Sequence, residues 1–565
     1  MAIMAIIMQL KRAGKVNIDP IRREDRKWGV PALIAYWCSD AFNAATWEFA
    51  SSILAVGLSY KDSLGIVATA FIIISGVISL NGAVGVLYHA PFPVLARASW
   101  GFWGSYVPIV SRVILAMFWF AIQTVNGGDV MFVMISAIWP SFGKVPNQIP
   151  ESEGITSAQM AYRDANPTPP PNTVWLLQIP FLYMHPNNLR YLFMAKSILV
   201  PIAFIAMLIW AFRSTGGTGG PLLASSATAT ISGSTYSYAW LSSLTAVIGN
   251  YATLSVNMPD FSRYSKASVK WQWLYVPLLP IIFTFISFIG IACTSAGQAH
   301  YGGELDWNPA NLISQWPNRA CKFFAGAAFV LAALGVNISA NSLSAANDLS
   351  ALFPAYVNIR RGQLICAMMA WALVPWKILA SAASFLNFMS AYSVFLGPIA
   401  AILVWDFWWL KGRKYDVVAL YHPDSIYAYT FNINLRAMLA FLIGVAPNLP
   451  GFINSITPSI DPGVGKRPYT FAWILGFVIT SLVYVVLSTI WPPRETLIDR
   501  AVLPDEVYDA EVEVLEGVEK DGAGGGKAWD GRAKGKGERG GGCCMSCWLW
   551  PYSRSGDNEV LAASQ

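Results

Sequence analysis

Residues 273–293 read WLYVPLLPIIFTFISFIGIAC, twenty-one positions without a charged side chain. A helix needs about 20 predominantly apolar residues to cross roughly 30 Å of hydrocarbon, so this stretch is long enough to span a bilayer. Unpaired backbone groups are costly in lipid, which makes the run a helix rather than a loop, and it is about twice the length of a barrel strand of roughly 10 residues. Leu241–Met258 and Phe471–Ile490 read the same way. Apolar runs broken by charges, Gly and Pro fall near 30–58, 64–88, 104–138, 173–184, 191–212, 239–258, 272–295, 322–346, 363–380, 385–409, 432–450 and 468–491. The composition agrees: 55% of residues are hydrophobic and 12% charged, about half the charge of an average soluble domain. The expected fold is an all-α integral membrane protein with twelve transmembrane helices, in which residues 30–491 form the spanning domain.

An even number of spans puts both termini on one side. The N-terminal segment 1–29 carries Lys11, Arg12, Lys15, Arg22, Arg23, Arg26 and Lys27, which marks that side as cytoplasmic by the positive-inside rule. Arg97, Arg263, Lys266, Lys270, Arg360, Arg361, Lys411, Arg413 and Lys414 fall in loops of the same side, whereas Arg163, Arg213, Lys466 and Arg467 fall opposite. No basic n-region or small-residue cleavage site frames Met1–Leu10, so no cleavable signal is expected. Segment 492–565 turns acidic and then Gly/Lys-rich, which predicts a disordered cytoplasmic tail. Within it Cys543, Cys544 and Cys547 are one ligand short of a four-cysteine zinc site and suit either palmitoylation or an unmodified tail. Cys38, Cys293, Cys321 and Cys366 are read as small core residues. The tails are where trafficking or ubiquitin machinery would bind. The net charge of +6 is spread over tails and loops and speaks to orientation, not to nucleic acid. The fourth span is short: polar residues Arg163–Asn172 stand where its first turns should be, either as an extended external loop or as a gene-model error.

Chemistry is expected where polar groups enter apolar runs. These are Ser39, Asp40, Asn43 and Glu48 in the first span; Gln123, Asn126 and Asp129 in the third; Lys196 in the fifth; Asn250 in the sixth; and Asn337, Asn341, Asn347 and Asp348 in the eighth. A charge at bilayer depth costs about 2.5–3.5 kcal/mol even on lenient scales, so such residues either line a pathway or snorkel from helix ends. Trp119 and Gln123 lie four apart, hence on one face, and offer an aromatic plane beside an amide. The pair suits a planar heterocycle or an interhelical hydrogen bond. Gly249-Asn250-Tyr251 is expected to interrupt the sixth span, as helix breaks do at transporter sites. No GxxxxGK[ST] motif, metal cluster or Ser/His/Asp arrangement appears, which argues against an ATP-driven pump and an enzyme.

The segments NIDPIRREDRKWG (17–29), YHAPFPVLARASWGFWGS (88–105), FWFAIQT (118–124), VNMPDFSRY (256–264) and FLGPIAAILVWDFW (395–408) resemble the nucleobase:cation symporter family, in particular its fungal uracil/allantoin permease branch. The resemblance implies a LeuT-like fold of two inverted five-helix repeats plus two further helices, working by alternating access. The substrate would lie between broken helices one and six and helices three and eight. It implies that Trp119 and Tyr251 stack on the solute and that Asn43, Gln123, Asn250 and Asn341 supply or border its polar contacts. Met389 and Tyr392 fall beside the outer gate. The positions that ligate Na⁺ in sodium-coupled relatives are Gly335 and Val336, which carry no side-chain oxygen. Glu48, Lys196 and Asp348 resemble a charged trio associated with proton coupling, with a static ion pair as the alternative. The expected activity is proton-coupled import of uracil, allantoin or a related planar nitrogenous solute across the plasma membrane. No cofactor or metal is expected, and H⁺ is preferred to Na⁺ as the coupling ion. Thiamine, nicotinamide riboside and nucleoside permeases, or a sensor that does not transport, are the alternatives.

Overall fold

The computed structural model describes residues 18–141, 173–184, 186–224, 226–303 and 305–509, all within a single compact unit, Met1–Glu511. The insertion Arg163–Asn172 and the cysteines Cys543, Cys544 and Cys547 lie outside the described residues.

The first span is two helices, α1 (Val30–Ala41) and α2 (Ala44–Ala55), separated at Phe42 and Asn43. Asn43 is extended (φ −149°, ψ 168°) and serves both broken ends. Its Oδ1 accepts from Thr46 N at 3.0 Å, and its Nδ2 donates to Asp40 O at 2.5 Å. One amide thus satisfies groups that a helix end leaves open, which is what allows a break to be buried. There follow α3 (Tyr60–Tyr88), begun by a Ser59/Asp62 capping box, α4 (Phe92–Trp100) and α5 (Tyr106–Ile138). Next come α6 (Thr173–Tyr183), α7 (Pro186–Ser214), α8 (Gly233–Asn257) and α9 (Tyr275–Tyr301). α10 (Arg319–Val336) passes through a π turn, Asn337–Ser342, into α11 (Leu343–Leu352). α12 (Ile359–Ala372), the bent pair α13 (Ala382–Ala391) and α14 (Ser393–Trp405), the pair α15 (Leu435–Val445) and α16 (Leu449–Ile456), and α17 (Ala472–Ile490) complete the series.

Eight stretches among the described residues are long and apolar enough to cross a membrane. The remaining four runs read from the sequence are the broken α1/α2 pair, α6, α8 and α12. At 11 residues, α6 covers only about 16 Å. Ile72, Ile114, Ile202, Ile209, Ile281, Leu442 and Leu482 point outward from the long helices, the pattern expected of a face wetted by lipid. α8 corrects one expectation: it runs unbroken through Gly249-Asn250-Tyr251. The glycine serves a close crossing instead, since a Cβ there would stand 2.1 Å from Met389 O on α13. Of the four cysteines read as core, Cys293 and Cys366 are buried, but Cys321, at the start of α10, is exposed.

One end of the bundle gathers the basic segments. Trp28 N donates to Tyr264 O at 3.0 Å, Tyr415 N to Tyr88 Oη at 2.7 Å, and Val417 N to Val502 O at 3.2 Å. Residues 492–509, read as the start of a disordered tail, are tied down at this same end. Arg26 and Arg23 pair with Asp505, and Tyr508 Oη donates to Pro20 O at 2.7 Å. Partial burial opposes ionisation of Asp505, but the arginine hydrogen bonds outweigh it and hold the carboxyl below its usual range. The clasp is therefore complete at neutral pH and weakens only as pH falls through that depressed value.

Beside it lies a buried ionic knot. Asp406, in the π turn that ends α14, accepts from Ser99 Oγ (3.0 Å), Tyr415 Oη (2.9 Å) and Tyr484 Oη (2.7 Å), and pairs with Lys411 Nζ at 3.0 Å. Lys411 also donates to Tyr429 Oη at 2.9 Å and to Ala98 O, and its ammonium lies 5.4, 4.9 and 5.6 Å from the ring centres of Tyr415, Tyr427 and Tyr429. The protein supplies three acceptors to the ammonium and four donors to the carboxylate, the kind of surroundings in which a buried pair persists.

Candidate functional site

Where α1 gives way to α2, a cavity opens between that break, α5, α8 and the π turn after α10. The empty space between these elements, open solvent included, is about 510 Å³. Asn43, Trp119, Gln123, Asn250, Tyr251 and Asn341 all line it, although they come from four separate runs of sequence. The break exposes Asn43; the helical repeat puts Trp119 and Gln123 one turn apart on α5; the π turn carries Asn341. Tyr251 is wedged against Phe71 (5.3 Å), Phe283 (4.5 Å) and Trp37 (6.2 Å), and its hydroxyl meets Asp40. Gln123 Oε1 has no hydrogen-bond partner within the protein.

Met389 and Tyr392 stand behind the lining residues Asn250 and Trp119. Asn250 Nδ2 donates to Met389 Sδ at 3.3 Å. Tyr392 packs edge-on against Phe388 at 5.3 Å, and Phe388 against Trp119 at 5.9 Å, so the bend of α13 and α14 rests on the tryptophan.

Two ionisable groups reach the cavity that the site expected from the sequence omits: Asp40 and Arg112. Arg112 Nε stands 3.9 Å from Asp348 Oδ2, and with the Asn257 amide turned so that its oxygen faces the guanidinium, Arg112 Nη2 donates to it at 2.6 Å. Asp260, which accepts from Phe92 N at 2.9 Å, adds a second negative charge to this group. The trio Glu48, Lys196 and Asp348 is not assembled in one place. Glu48 Oε2 accepts from Asn126 Nδ2 at 2.8 Å; Lys196 interacts electrostatically with Asp40; Asp348 faces Arg112. The arm of Lys196 lies along Gly335, where an added Cβ would meet its Cδ at 2.5 Å, while Val336 lines the cavity itself. Arg112 was legible as a charge in an apolar run; its membership of the site depends on Asp348, which is remote in sequence.

A bundle of spanning helices with a broken helix, a π turn and a polar cavity between them is the architecture expected of a membrane transporter. Residues 20–476 match the family described as "Permease for cytosine/purines, uracil, thiamine, allantoin", and the chain belongs to that family. It is 33% identical to the allantoin permease of Saccharomyces cerevisiae over 84% of this chain and 75% of that one, and 33% identical to the uracil permease of the same yeast over 84% and 76%. Among solved structures it resembles Mhp1, a nucleobase-cation-symport-1 family transporter seen closed with bromovinylhydantoin bound, with TM-score 0.64 at 18% identity over 84% of this chain and 96% of that one. The LeuT-like arrangement implied by the sequence resemblance is thus the fold of this chain, and the chain is a transporter rather than an enzyme.

Proposed function

We propose that this permease imports a planar nitrogenous ring, uracil or allantoin first, across the plasma membrane in company with a proton. The observation that carries this reading is the convergence of Trp119 and Tyr251, two aromatic side chains, with four amides, Asn43, Gln123, Asn250 and Asn341, on one cavity. Aromatic faces accept a flat ring, and amides match an edge of alternating N–H and C=O groups. The relatives named for allantoin and uracil fit that chemistry. The basic end of the bundle, where both tails are clasped, is assigned to the cytoplasm.

The coupling assignment rests on what surrounds Gly335 and Val336. A hard cation wants a cage of oxygens, and these positions supply no hydroxyl, while the lysine arm fills the space beside Gly335. An ammonium already there repels a second cation. Glu48, Lys196 and Asp348, each with a buried polar or charged neighbour, are the groups able to change proton occupancy as the bundle rocks. Uptake of radiolabelled uracil, allantoin, uridine and thiamine, measured at a series of external pH values with Na⁺ or choline, tests both halves. Uptake is expected to rise as external pH falls and to ignore the replacement of Na⁺. Glu48→Gln and Asp348→Asn are expected to lose concentrative uptake while retaining exchange. Strict Na⁺ dependence overturns the coupling, and transport confined to thiamine or uridine overturns the substrate.

Met389 and Tyr392, on the bend of α13 and α14 behind Asn250 and Trp119, are assigned to the filter for entry. Shrinking either to alanine is expected to broaden the range of competing rings more than it changes turnover, because an entry filter does not bond the bound solute. An unchanged competition profile in both variants would reduce them to packing.

A further inference from the structure

Asn341 does not face the cavity as a free amide. Its Nδ2 donates to Asn337 Oδ1 at 2.8 Å. Asn337 Nδ2 in turn lies 3.1 Å from Phe120 O, 3.0 Å from Thr124 Oγ1 and 2.9 Å from Gln178 Oε1, and Gln178 Nε2 donates to Thr124 Oγ1 at 3.2 Å. Asn337, Thr124 and Gln178 are buried, and Gln178 belongs to the short helix α6.

The direction of this chain is fixed from its far end. Phe120 O is a backbone carbonyl and can only accept. Thr124 Oγ1 donates its single hydrogen to that carbonyl at 2.7 Å, so toward Asn337 and Gln178 it too can only accept. Two acceptors on one side of Asn337 require its NH₂ there and its carbonyl on the other side. Asn341 must then turn its NH₂ toward Asn337. Reversing Asn341 would set two carbonyl oxygens against each other in a buried site, a mismatch that leaves both without a donor.

We infer that Gln178, Thr124 and Asn337 are positioning residues that lock the amide of Asn341 in one of its two orientations, so that the site accepts a ring edge in one order of donor and acceptor. Asn341 offers the cavity its carbonyl oxygen with the second amide hydrogen beside it. The ligand that matches is a cyclic amide, imide or ureide presenting an N–H to that oxygen and a C=O to that hydrogen. A methyl group on the nitrogen removes the donor and fills the place of its hydrogen. This inference rests on the substrate site proposed above, and it gives the short helix α6 a part in recognition although Gln178 is outside the cavity lining.

The test is binding of radiolabelled uracil to the full-length protein, with 1-methyluracil and 3-methyluracil as competitors. Wild type is expected to reject one methyl isomer about tenfold more than the other, the size of effect that one buried hydrogen bond produces. In Gln178→Leu and Thr124→Val, uracil affinity is expected to fall severalfold and the ratio between the isomers to approach one, because Asn341 can then turn over. Thr124→Ser, which keeps the hydroxyl, is expected to restore the ratio. A purely structural role would lower the amount of folded protein without moving that ratio. Thr124→Val is nearly isosteric and decides the matter if Gln178→Leu does not reach the membrane. Wild-type ratio and affinity in both variants, with affinity lost in Asn341→Ala, overturn the positioning role and leave the site standing. Full affinity in Asn341→Ala, or no uracil binding by wild type, overturns the site reading itself.

Discussion

Uptake is expected to be abolished in Gln123→Ala and in Asn341→Ala, with the amount of protein at the cell surface unchanged. Gln123 projects an unpartnered Oε1 in a buried part of the cavity, and Asn341 presents an amide edge there. Removing either leaves a polar atom of the bound ring without its partner in a place shielded from water, which costs on the order of 1–3 kcal/mol. That is roughly a tenfold to hundredfold loss of affinity for each variant. Gln123 lies beside open space, and when Asn341 is shortened Asn337 keeps its Nδ2 contacts with Phe120 O, Thr124 and Gln178 and loses only the donor to its Oδ1. Uptake kinetics scaled to surface abundance check this, and wild-type uptake in both variants would remove the pair from the site.

The second large effect is on folding. Lys411→Met strands Asp406 as an uncompensated carboxylate with 0% exposure, a loss of about 3–5 kcal/mol. Since a whole domain is stable by only about 5–15 kcal/mol, most of the protein is expected to be retained before it reaches the surface. Combining Lys411→Met with Asp406→Asn removes both charges, keeps one oxygen as an acceptor and sets an NH₂ toward the remaining hydroxyls of Ser99, Tyr415 and Tyr484, which can turn to accept from it, so surface protein is expected to recover substantially. Thermal unfolding in detergent separates the two cases: the single variant melts well below wild type and the double variant close to it. A single variant as stable as wild type would mean that water reaches the knot.

The sequence made the site legible to the extent that chemistry was local. Trp119 and Gln123 share a face because they are four apart, and Asn43 stands out as an amide in an apolar run; both features survive in the cavity. Partners contributed by distant helices were not legible. Arg112 and Asp348 are 236 positions apart by their numbers, and no periodicity relates them. Glu48, Lys196 and Asp348 were grouped by charge, yet each has its own neighbour, because nothing in the order of spans specifies which faces meet. Gly249 suggests an interruption of the sixth span because glycine permits one, but tight packing against Met389 O needs the same residue for a different reason. The tail was read as starting at Pro492 from its composition, whereas Arg23 and Arg26 hold Asp505 in place from the opposite terminus.

The knot at Asp406 also sets an order in time. Tyr484, which donates to Asp406 Oδ1, follows it by 78 residues, so at about 5–20 residues per second the ribosome delivers it roughly 4–16 s later. Until α17 enters the bilayer, the carboxylate lacks one of its donors and the bundle has an unfinished polar seam. Lys411, Tyr415 and Tyr429 can gather round Asp406 in the meantime, since they follow it closely in the chain. Completion of the knot is therefore registered at α17, and the clasp of Asp505 by Arg23 and Arg26 can close only after that helix has been delivered.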